Sequence, residues 1–225
     1  MTEPKQEPQQ QEAARAASGL ERQLNRASRE LRPGAPSQRT LDAIAARAAD
    51  EGLVDVAYTQ ADSPFGPLTV AATDRGLVLL AYPERPLDEL LGRLAERISP
   101  RVLEAPARLD SVRRELDEYF EGRRRRFDTP IDWRLNGGGF FQAVLRATAK
   151  IDYGTTITYR DVAERAGNVK AVRAAGNGLG SNQIPIVVPC HRVVATGGKL
   201  GGYTGGVERK QLLLGLERGE ALLGA

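Results

Sequence analysis

The sequence predicts an α+β protein, with a small N-terminal sheet-plus-helix domain followed by a mostly helical domain that carries a helix-turn-helix and a loop around the only cysteine. Apolar residues alternate with polar ones between Val54 and Tyr82, which is the period of strands. From Phe140 onward they recur at helical spacing. The run Asn136-Gly137-Gly138-Gly139 reads as a linker between these two patterns. We therefore predict an extension at 1–52, an α+β domain at 53–135 and a helical domain at 136–225.

The extension shows little patterning. Residues 1–12 are rich in Gln, Glu and Pro, which predicts disorder. A first amphipathic helix is indicated by Leu20, Leu24, Ala27 and Leu31, and the Pro33-Gly34 pair ends it. Thr40 can cap a second short helix that stops at Gly52.

The α+β domain begins with three strands, predicted at 54–58, Leu68 to Thr73 and Leu77 to Tyr82, with turns between them at Ser63–Gly66 and Asp74–Gly76. Two helical patterns follow, at 87–98 and 108–121. Residues Phe127 to Trp133 are predicted as an edge strand. The four arginines at 123–126 favour a solvated turn over a phosphate contact.

Four helices are predicted in the helical domain. They cover Phe140 to Ile151, Tyr159 to Ala166 with Thr158 as the cap, Lys170 to Gly180, and Val207 to Leu216. The second and third are short and joined by the tight turn Gly167-Asn168, which is typical of a helix-turn-helix. Many helical hairpins share this pattern, so alone it is weak.

Composition excludes several function classes. No apolar run approaches the roughly 20 residues that span a bilayer, and the polar N-terminus lacks a signal-peptide core. One cysteine cannot form an internal disulfide, which fits a reducing compartment, so we expect a cytoplasmic protein (nuclear in a eukaryote). One cysteine and one histidine exclude the usual zinc sets, and we expect no metal or cofactor. The net charge of +3 permits nucleic-acid binding without arguing for it.

The only cysteine and the only histidine are adjacent, at Cys190 and His191, between two apolar runs. A thiolate is the reactive form of cysteine, and a neighbouring base produces it near neutral pH. The pair alone leaves a buried structural cysteine as an equal alternative. A cysteine hydrolase would also use such a pair, although its thiol and imidazole stand on separate segments.

At this point the chain resembles the O6-alkylguanine-DNA alkyltransferases. Residues Ile186-Val187-Val188-Pro189-Cys190-His191-Arg192-Val193-Val194 match the active-site signature of that family, and Gly202-Tyr203-Thr204-Gly205-Gly206 match its substrate loop. Residues 157–163 and 170–176 match its helix-turn-helix. The resemblance covers about residues 54–217; residues 1–52 have no recognised counterpart.

The resemblance implies catalytic roles. Cys190 is the nucleophile, His191 takes its proton directly or through one water, and Glu217 holds the imidazole. Tyr159 supplies a proton or hydrogen bond to the leaving guanine, and Asn182 ties the active-site loop to the recognition helix. The thiol's ordinary pKa of about 8.5 leaves it mostly protonated at neutral pH, so the chemistry needs such a relay.

The resemblance also implies two binding sets. The guanine and its alkyl group are contacted by Val193, Tyr203, Thr204 and Gly205. Arg173 enters the base stack when the nucleotide flips out. The close approach to DNA, by the minor groove, involves Thr158, Ala171, Val172, Ala174 and Gly176.

The activity implied is direct-reversal DNA repair, in which an alkyl group moves irreversibly from O6-alkylguanine or O4-alkylthymine to Cys190 once per molecule. The partner is double-stranded DNA carrying such a base; no membrane is involved, and the protein acts as a monomer. Two alternatives stay open besides the hydrolase: a non-repairing binder of alkylated DNA, which would lack the reactive cysteine, and a transcription regulator that uses the helix-turn-helix.

Overall fold

The structure is a computed structural model that describes residue 40, residues 43–45, 47–48 and 51–220. The predicted disorder at 1–12 and the helix at Leu20–Leu31 lie outside this range. All described positions between 40 and 48 are helical, as the second predicted helix requires. Gly52 takes a positive φ of 67° just after them, which is a common helix ending. From Ala45 onward the chain forms one compact unit.

A four-stranded sheet has the order β3-β2-β1-β4. The strands are β1 (Val56–Ala61), β2 (Leu68–Thr73), β3 (Gly76–Ala81) and β4 (Val102–Glu104). The first three pair antiparallel, as hairpin turns dictate, and lie where the alternation predicts them. Strand β4, which pairs parallel with β1, was not predicted, because two partly buried residues and one exposed residue are too few to show a period.

The edge strand predicted at Phe127 to Trp133 is wrong. Only Ile131 forms a bridge, parallel to Leu77, and Trp133–Leu135 is a 3₁₀ turn. Pro130 has no N–H to donate to a ladder. The carboxylate of Asp132 accepts from the Arg134 backbone N–H and starts the 3₁₀ turn, so the pairing stops after one residue.

Both faces of the sheet are covered. Helix α1 (Leu87–Arg97) buries Leu90 and Leu94 in one apolar cluster with the first face. Helix α2 (Asp110–Phe120) buries Leu116 and Tyr119 in a second cluster, which continues from the other face into the C-terminal helices. Val188, Cys190 and Val193 belong to this second cluster, so the cysteine segment shares one core with the sheet.

The arginine run follows a turn at 121–122 and forms a mostly exposed loop with a bend at Arg125 and Arg126, in which Arg124 makes ion pairs with Glu118 and Asp128.

The C-terminal part contains helices α3 (Gly139–Thr148), α4 (Tyr159–Arg165), α5 (Val172–Gly180) and α6 (Val207–Glu217). Thr158 caps α4 in a capping box with Asp161, because each side chain accepts the other's backbone N–H. Strands β5 (Ile157–Thr158) and β6 (Val193–Val194) pair parallel and join the start of α4 to the end of the cysteine segment. The α+β prediction is confirmed. In the described ranges, no helix has the length and apolar character to cross a membrane.

Candidate active site

Cys190 lies at a cleft of about 550 Å³. Cys190 is the first residue of a 3₁₀ turn, Cys190–Arg192. Because the chain bends there, the side chains of Cys190 and His191 do not point to opposite sides as they would in a strand. Cys190 as a residue is only 5% exposed, yet it lines the cleft. The cleft is also lined by Tyr159, Val172, Arg173, Gly176, Asn177, Leu179, Gly180, Gly202, Tyr203 and Thr204.

The sulfur is a protonated thiol at rest. Burial raises the pKa of Cys190 to about 11. Three features oppose this shift: the Asn182 side chain, the Lys210 cation, and the backbone N–H groups at 190 and 191. Asn182 Nδ2 lies 3.1 Å from Sγ and 2.9 Å from the Val188 carbonyl, so one amide, two residues after α5, contacts the cysteine turn. The ordinary pKa assumed from sequence was too low, because the thiol is desolvated.

His191 and Glu217 are hydrogen-bonded and fully enclosed. His191 Nε2 lies 2.8 Å from Glu217 Oε1, and the imidazole has no exposed surface. Burial lowers the pKa of His191, although the hydrogen bond that it donates to Glu217 opposes the shift. A neutral ring that donates from Nε2 to the carboxylate keeps Nδ1 as an acceptor. Nδ1 has no hydrogen-bond partner among the described residues, so it is the nitrogen available to take a proton.

Glu217 is the most heavily bonded group of the site. Arg192 donates to both carboxylate oxygens from Nε and Nη2, Tyr119 Oη donates to Oε1 at 2.8 Å, and the Gly154 backbone N–H donates to Oε2 at 3.0 Å. Burial alone would raise its pKa, but the hydrogen bonds from His191 and Arg192 outweigh burial and hold the pKa at about 2. The carboxylate is therefore a permanent anion facing the imidazole.

Lys210 is a second buried charge near the thiol. Its Nζ donates to three backbone carbonyls, at Val193 (2.6 Å), Gly202 (3.3 Å) and Leu200. Burial lowers the pKa of Lys210 to about 8, so the ammonium form predominates at neutral pH. This cation connects the cysteine segment to the substrate loop and favours negative charge on sulfur.

The substrate-binding residues predicted from sequence separate into two groups. Tyr203 and Thr204 line the cleft beside Cys190. Val193 and Gly205 are buried and do not line the cleft, and the Val193 carbonyl already accepts from Lys210. Tyr159 lines the cleft, and its hydroxyl donates to the Gly202 carbonyl at 3.2 Å.

The predicted DNA-contacting residues separate in the same way. Arg173, Val172 and Gly176 line the cleft on α5, and the Arg173 side chain is exposed. Ala171 and Ala174 lie on the same turn of chain but outside the cleft lining. The Thr158 hydroxyl is engaged in the α4 cap.

Four residues of the site carry no role in the sequence analysis: Arg192, Lys210, Tyr119 and Tyr82. Lys210 stands seven residues before Glu217, two turns along one helix face, and this spacing was an available signal. Tyr119 and Tyr82 belong to the N-terminal α+β part of the chain. Tyr119 binds Glu217, 98 residues away, and Tyr82 binds Tyr203, 121 residues away, and a single sequence gives no indication of contacts between such distant residues.

The described residues contain no group of three or more His, Cys, Asp or Glu side chains placed to hold a metal ion. The groups that surround Cys190 in the structure are an imidazole, a carboxylate and the two buried cations Arg192 and Lys210.

Comparison with known proteins gives consistent matches. The family model "6-O-methylguanine DNA methyltransferase, DNA binding domain" matches residues 139–219, and the ribonuclease-like domain of the same family matches residues 56–133. The chain is 39% identical over 150 residues to an inducible methylated-DNA–protein-cysteine methyltransferase of Bacillus subtilis, covering 66% of this chain and 83% of that protein. A Mycolicibacterium paratuberculosis methylated-DNA–protein-cysteine methyltransferase is 40% identical over 163 residues, which are 72% of this chain and 93% of that protein.

Solved structures agree with these relatives. The structure of Mycobacterium tuberculosis OGT in complex with DNA superposes with a TM-score of 0.64 and 37% identity, covering 74% of this chain and 96% of that chain. A methyltransferase from Pyrococcus kodakaraensis superposes with a TM-score of 0.51 at 23% identity, which concerns the fold alone.

Proposed function

The chain belongs to the 6-O-methylguanine DNA methyltransferase family, and from that membership we propose that Cys190 is the residue that accepts the alkyl group. The protein is a methylated-DNA–protein-cysteine methyltransferase that repairs alkylated DNA by direct reversal, with DNA as its partner. The observation that carries the assignment to Cys190 is its position: the chain's only thiol lines a cleft and is backed by a buried imidazole–carboxylate pair.

The transfer is a displacement at carbon. Cys190 Sγ attacks the O-alkyl carbon, the new S–C bond forms as the C–O6 bond breaks, and the C–O6 electron pair leaves with guanine. The thiol proton passes through one water to His191 Nδ1, and the permanent Glu217 anion stabilises the imidazolium that results. Because charge develops on sulfur only during this step, the high resting pKa of Cys190 keeps the thiol unreactive until substrate is bound.

The leaving guanine takes a hydrogen bond or proton from Tyr159 Oη. Burial raises the pKa of Tyr159, so its hydroxyl stays protonated at neutral pH. This hydroxyl now donates to the Gly202 carbonyl, and we propose that guanine replaces that acceptor when it enters the cleft. The Thr204 backbone and hydroxyl contact the guanine edge in the cleft. A backbone contact from Val193 requires the cleft to open toward that residue when guanine enters, because Val193 is buried behind the lining and its carbonyl accepts from Lys210.

The substrate is double-stranded DNA carrying O6-alkylguanine or O4-alkylthymine, approached from the minor groove by a monomer. The thiol is too deeply buried to reach a stacked base, so the nucleotide must flip out, at a cost of about a few kcal/mol. The small residues of α5, with Ala171, Ala174 and Gly176 among them, permit a close approach, and exposed Arg173 fills the gap left in the stack.

Mixing the protein with an excess of duplex carrying O6-methylguanine should add the mass of one methyl group to each molecule, located on Cys190. A thioether is stable, and no second thiol exists to accept the group. Intact mass with peptide mapping checks this. Product beyond one equivalent would indicate a turnover enzyme such as a hydrolase, and binding without a mass gain would indicate a non-repairing binder or regulator.

Replacing Arg173 by alanine should slow repair of duplex DNA by at least tenfold while changing the reaction with free O6-benzylguanine less than twofold. Only the duplex substrate needs the flipped base to be replaced in the stack. Single-turnover rates on the two substrates measure the effect. Arg165→Ala, which changes an arginine at the end of α4 that does not line the cleft, is the control. Equal losses on both substrates would place Arg173 in the pocket chemistry instead.

A further inference from the structure

The wall of the cleft beside the thiol is the ring of Tyr203, and this ring lies between the proton relay and the sheet. Its centroid is 6.3 Å from the His191 ring and 6.3 Å from the Tyr82 ring, edge-to-face in both cases. His191 has no exposed surface and is bonded to Glu217, so that side is fixed. The position of the Tyr203 ring is therefore set on its other side by Tyr82.

Tyr82 directly follows β3 and is held from three directions. Its hydroxyl lies 2.7 Å from the Tyr203 hydroxyl. Its ring packs edge-to-face on Phe65 at 6.1 Å, and the Arg209 guanidinium lies 4.5 Å above the ring. Only 5% of the residue is exposed. The hydroxyl pair is therefore a part-buried hydrogen bond between two anchored rings, and it is the direct polar contact between the end of β3 and the Tyr203 side chain.

The loop that carries Tyr203 is held by the same residues. A Cβ on Gly205 would lie 2.4 Å from the Tyr82 ring and 2.7 Å from the Tyr203 ring, so the loop backbone packs directly against both tyrosines. Arg209 donates to the Gly205 carbonyl at 3.1 Å and forms an ion pair with Glu84, two residues after Tyr82.

The two halves of the loop have different anchors. Tyr159 and Lys210 bind the Gly202 carbonyl in the first half, within the C-terminal part. Tyr82, Arg209 and Glu84 hold the second half onto the sheet. Tyr203 sits at the junction of the two, so releasing the sheet-side anchor frees the wall while Cys190, His191 and Tyr159 keep their own hydrogen bonds. A charge on the Cys190 sulfur raises the pKa of Tyr82, and this electrostatic influence is common to all alkyl substrates.

We propose that Tyr82 is a positioning residue that sets how large an alkyl group the cleft accepts, by holding Tyr203 through the hydroxyl–hydroxyl bond. This rests on the proposed transfer to Cys190. The attacked carbon must come within roughly 3–3.5 Å of Sγ. A methyl group ends there, whereas a larger group extends beyond that carbon and meets the walls formed by Tyr159 and Tyr203. A fixed Tyr203 resists the larger group, and a mobile one yields to it.

The test compares one duplex carrying O6-methylguanine with the same duplex carrying O6-benzylguanine, so that DNA binding and base flipping cancel in the ratio of rates. Tyr82→Phe keeps the ring and its contacts and removes only the hydroxyl. Losing one hydrogen bond corresponds to about 0.5–1.5 kcal/mol, so we expect the benzyl-to-methyl ratio to rise by about 2.3-fold to 13-fold over wild type.

Tyr203→Phe breaks the same bond from the other side and should raise the ratio similarly, and the double variant should add little to either single change. Tyr58→Phe, in β1 against the opposite cluster, should leave the ratio at the wild-type value. Thermal melts and titration of active sites with methylated duplex correct each rate for folded protein.

The inference is overturned if Tyr82→Phe leaves the ratio within twofold of wild type, or if both substrates slow in parallel, since a purely structural role lowers both rates alike. Independent, additive effects of the two tyrosine changes would also overturn it. A wild-type protein that gains no methyl on Cys190 would instead refute the proposed function, and the inference with it.

Discussion

Replacing Cys190 by alanine should reduce alkyl transfer to below detection while leaving the affinity for duplex DNA within about twofold of wild type. The chain has no other thiol to act as acceptor, and a hydroxyl or imidazole is a far poorer nucleophile toward an alkyl carbon at neutral pH. Transfer of labelled methyl from O6-methylguanine duplex and a fluorescence-anisotropy titration of the same duplex measure the two properties.

The variant should fold, because the thiol contributes little that alanine removes. Asn182 keeps its hydrogen bonds to the Val188 carbonyl and from the Ile184 backbone N–H when Sγ is gone. Thermal melts establish this, with Cys190→Ser as a matched variant that keeps a small polar atom. Methyl transfer that survived in either variant would disprove Cys190 as the acceptor, and a joint loss of folding and DNA binding would mark it as a core residue.

Local patterns predicted most of the fold. The strands at Leu68–Thr73 and Leu77–Tyr82 and the helix ending at Glu217 follow from period and turn chemistry, which act within a few residues. The short β4 strand and the failed edge strand at Phe127–Trp133 depend on pairing across the sheet instead. Pairing partners far apart in sequence leave no local signature, so these two were missed or misassigned.

The candidate site shows the same difference between residues that a local motif predicts and residues that come from distant parts of the chain. Cys190, His191 and Glu217 were placed by motif resemblance, and the structure brings the last two within 2.8 Å. The residues that control them were not predicted: Tyr119 reaches Glu217 from α2, and Tyr82 reaches Tyr203 from the end of β3. Sequence also could not reveal the desolvation that raises the pKa of Cys190 to about 11, because burial is a property of the assembled core.

Replacing Glu217 by glutamine should slow transfer by about two to four orders of magnitude at pH 7, which is the usual contribution of a positioned general base. The neutral glutamine side chain cannot stabilise the imidazolium that forms at His191, so proton transfer to His191 becomes slow. The reaction then depends on the fraction of Cys190 that is ionised directly by solvent. With the pKa of Cys190 raised to about 11, the thiolate fraction then grows about tenfold for each pH unit throughout pH 6 to 9.5. The variant's rate should follow this slope without a plateau near 8.5.

The wild-type rate should stay nearly flat from the acidic end of that range to about pH 8 and fall above it, because Lys210 then loses the charge that favours the thiolate. Glu217, with its pKa at about 2, is ionised throughout, and the lowered pKa of His191 confines any fall in rate due to protonation of His191 to the acidic end. Lys210, with its pKa at about 8, loses its charge within the range, but it does so in both proteins and cancels in their ratio. Single-turnover rates on an alkylguanine probe from pH 6 to 9.5 should therefore give a wild-type-to-variant ratio that shrinks about tenfold per pH unit.

Folding must be separated from chemistry in this test, because Glu217→Gln leaves Arg192 as a buried cation without its anion, at a cost of about 3–5 kcal/mol. His191→Asn provides the matched variant: it removes the base and retains the Glu217–Arg192 ion pair, so it should show the same rising pH profile with a smaller loss of thermal stability. A carboxylate with only a structural role would lower the active fraction equally at every pH. A ratio that stays constant from pH 6 to 9.5 in both variants would therefore remove Glu217 and His191 from the proton relay and leave thiol ionisation to Asn182, Lys210 and the backbone amides alone.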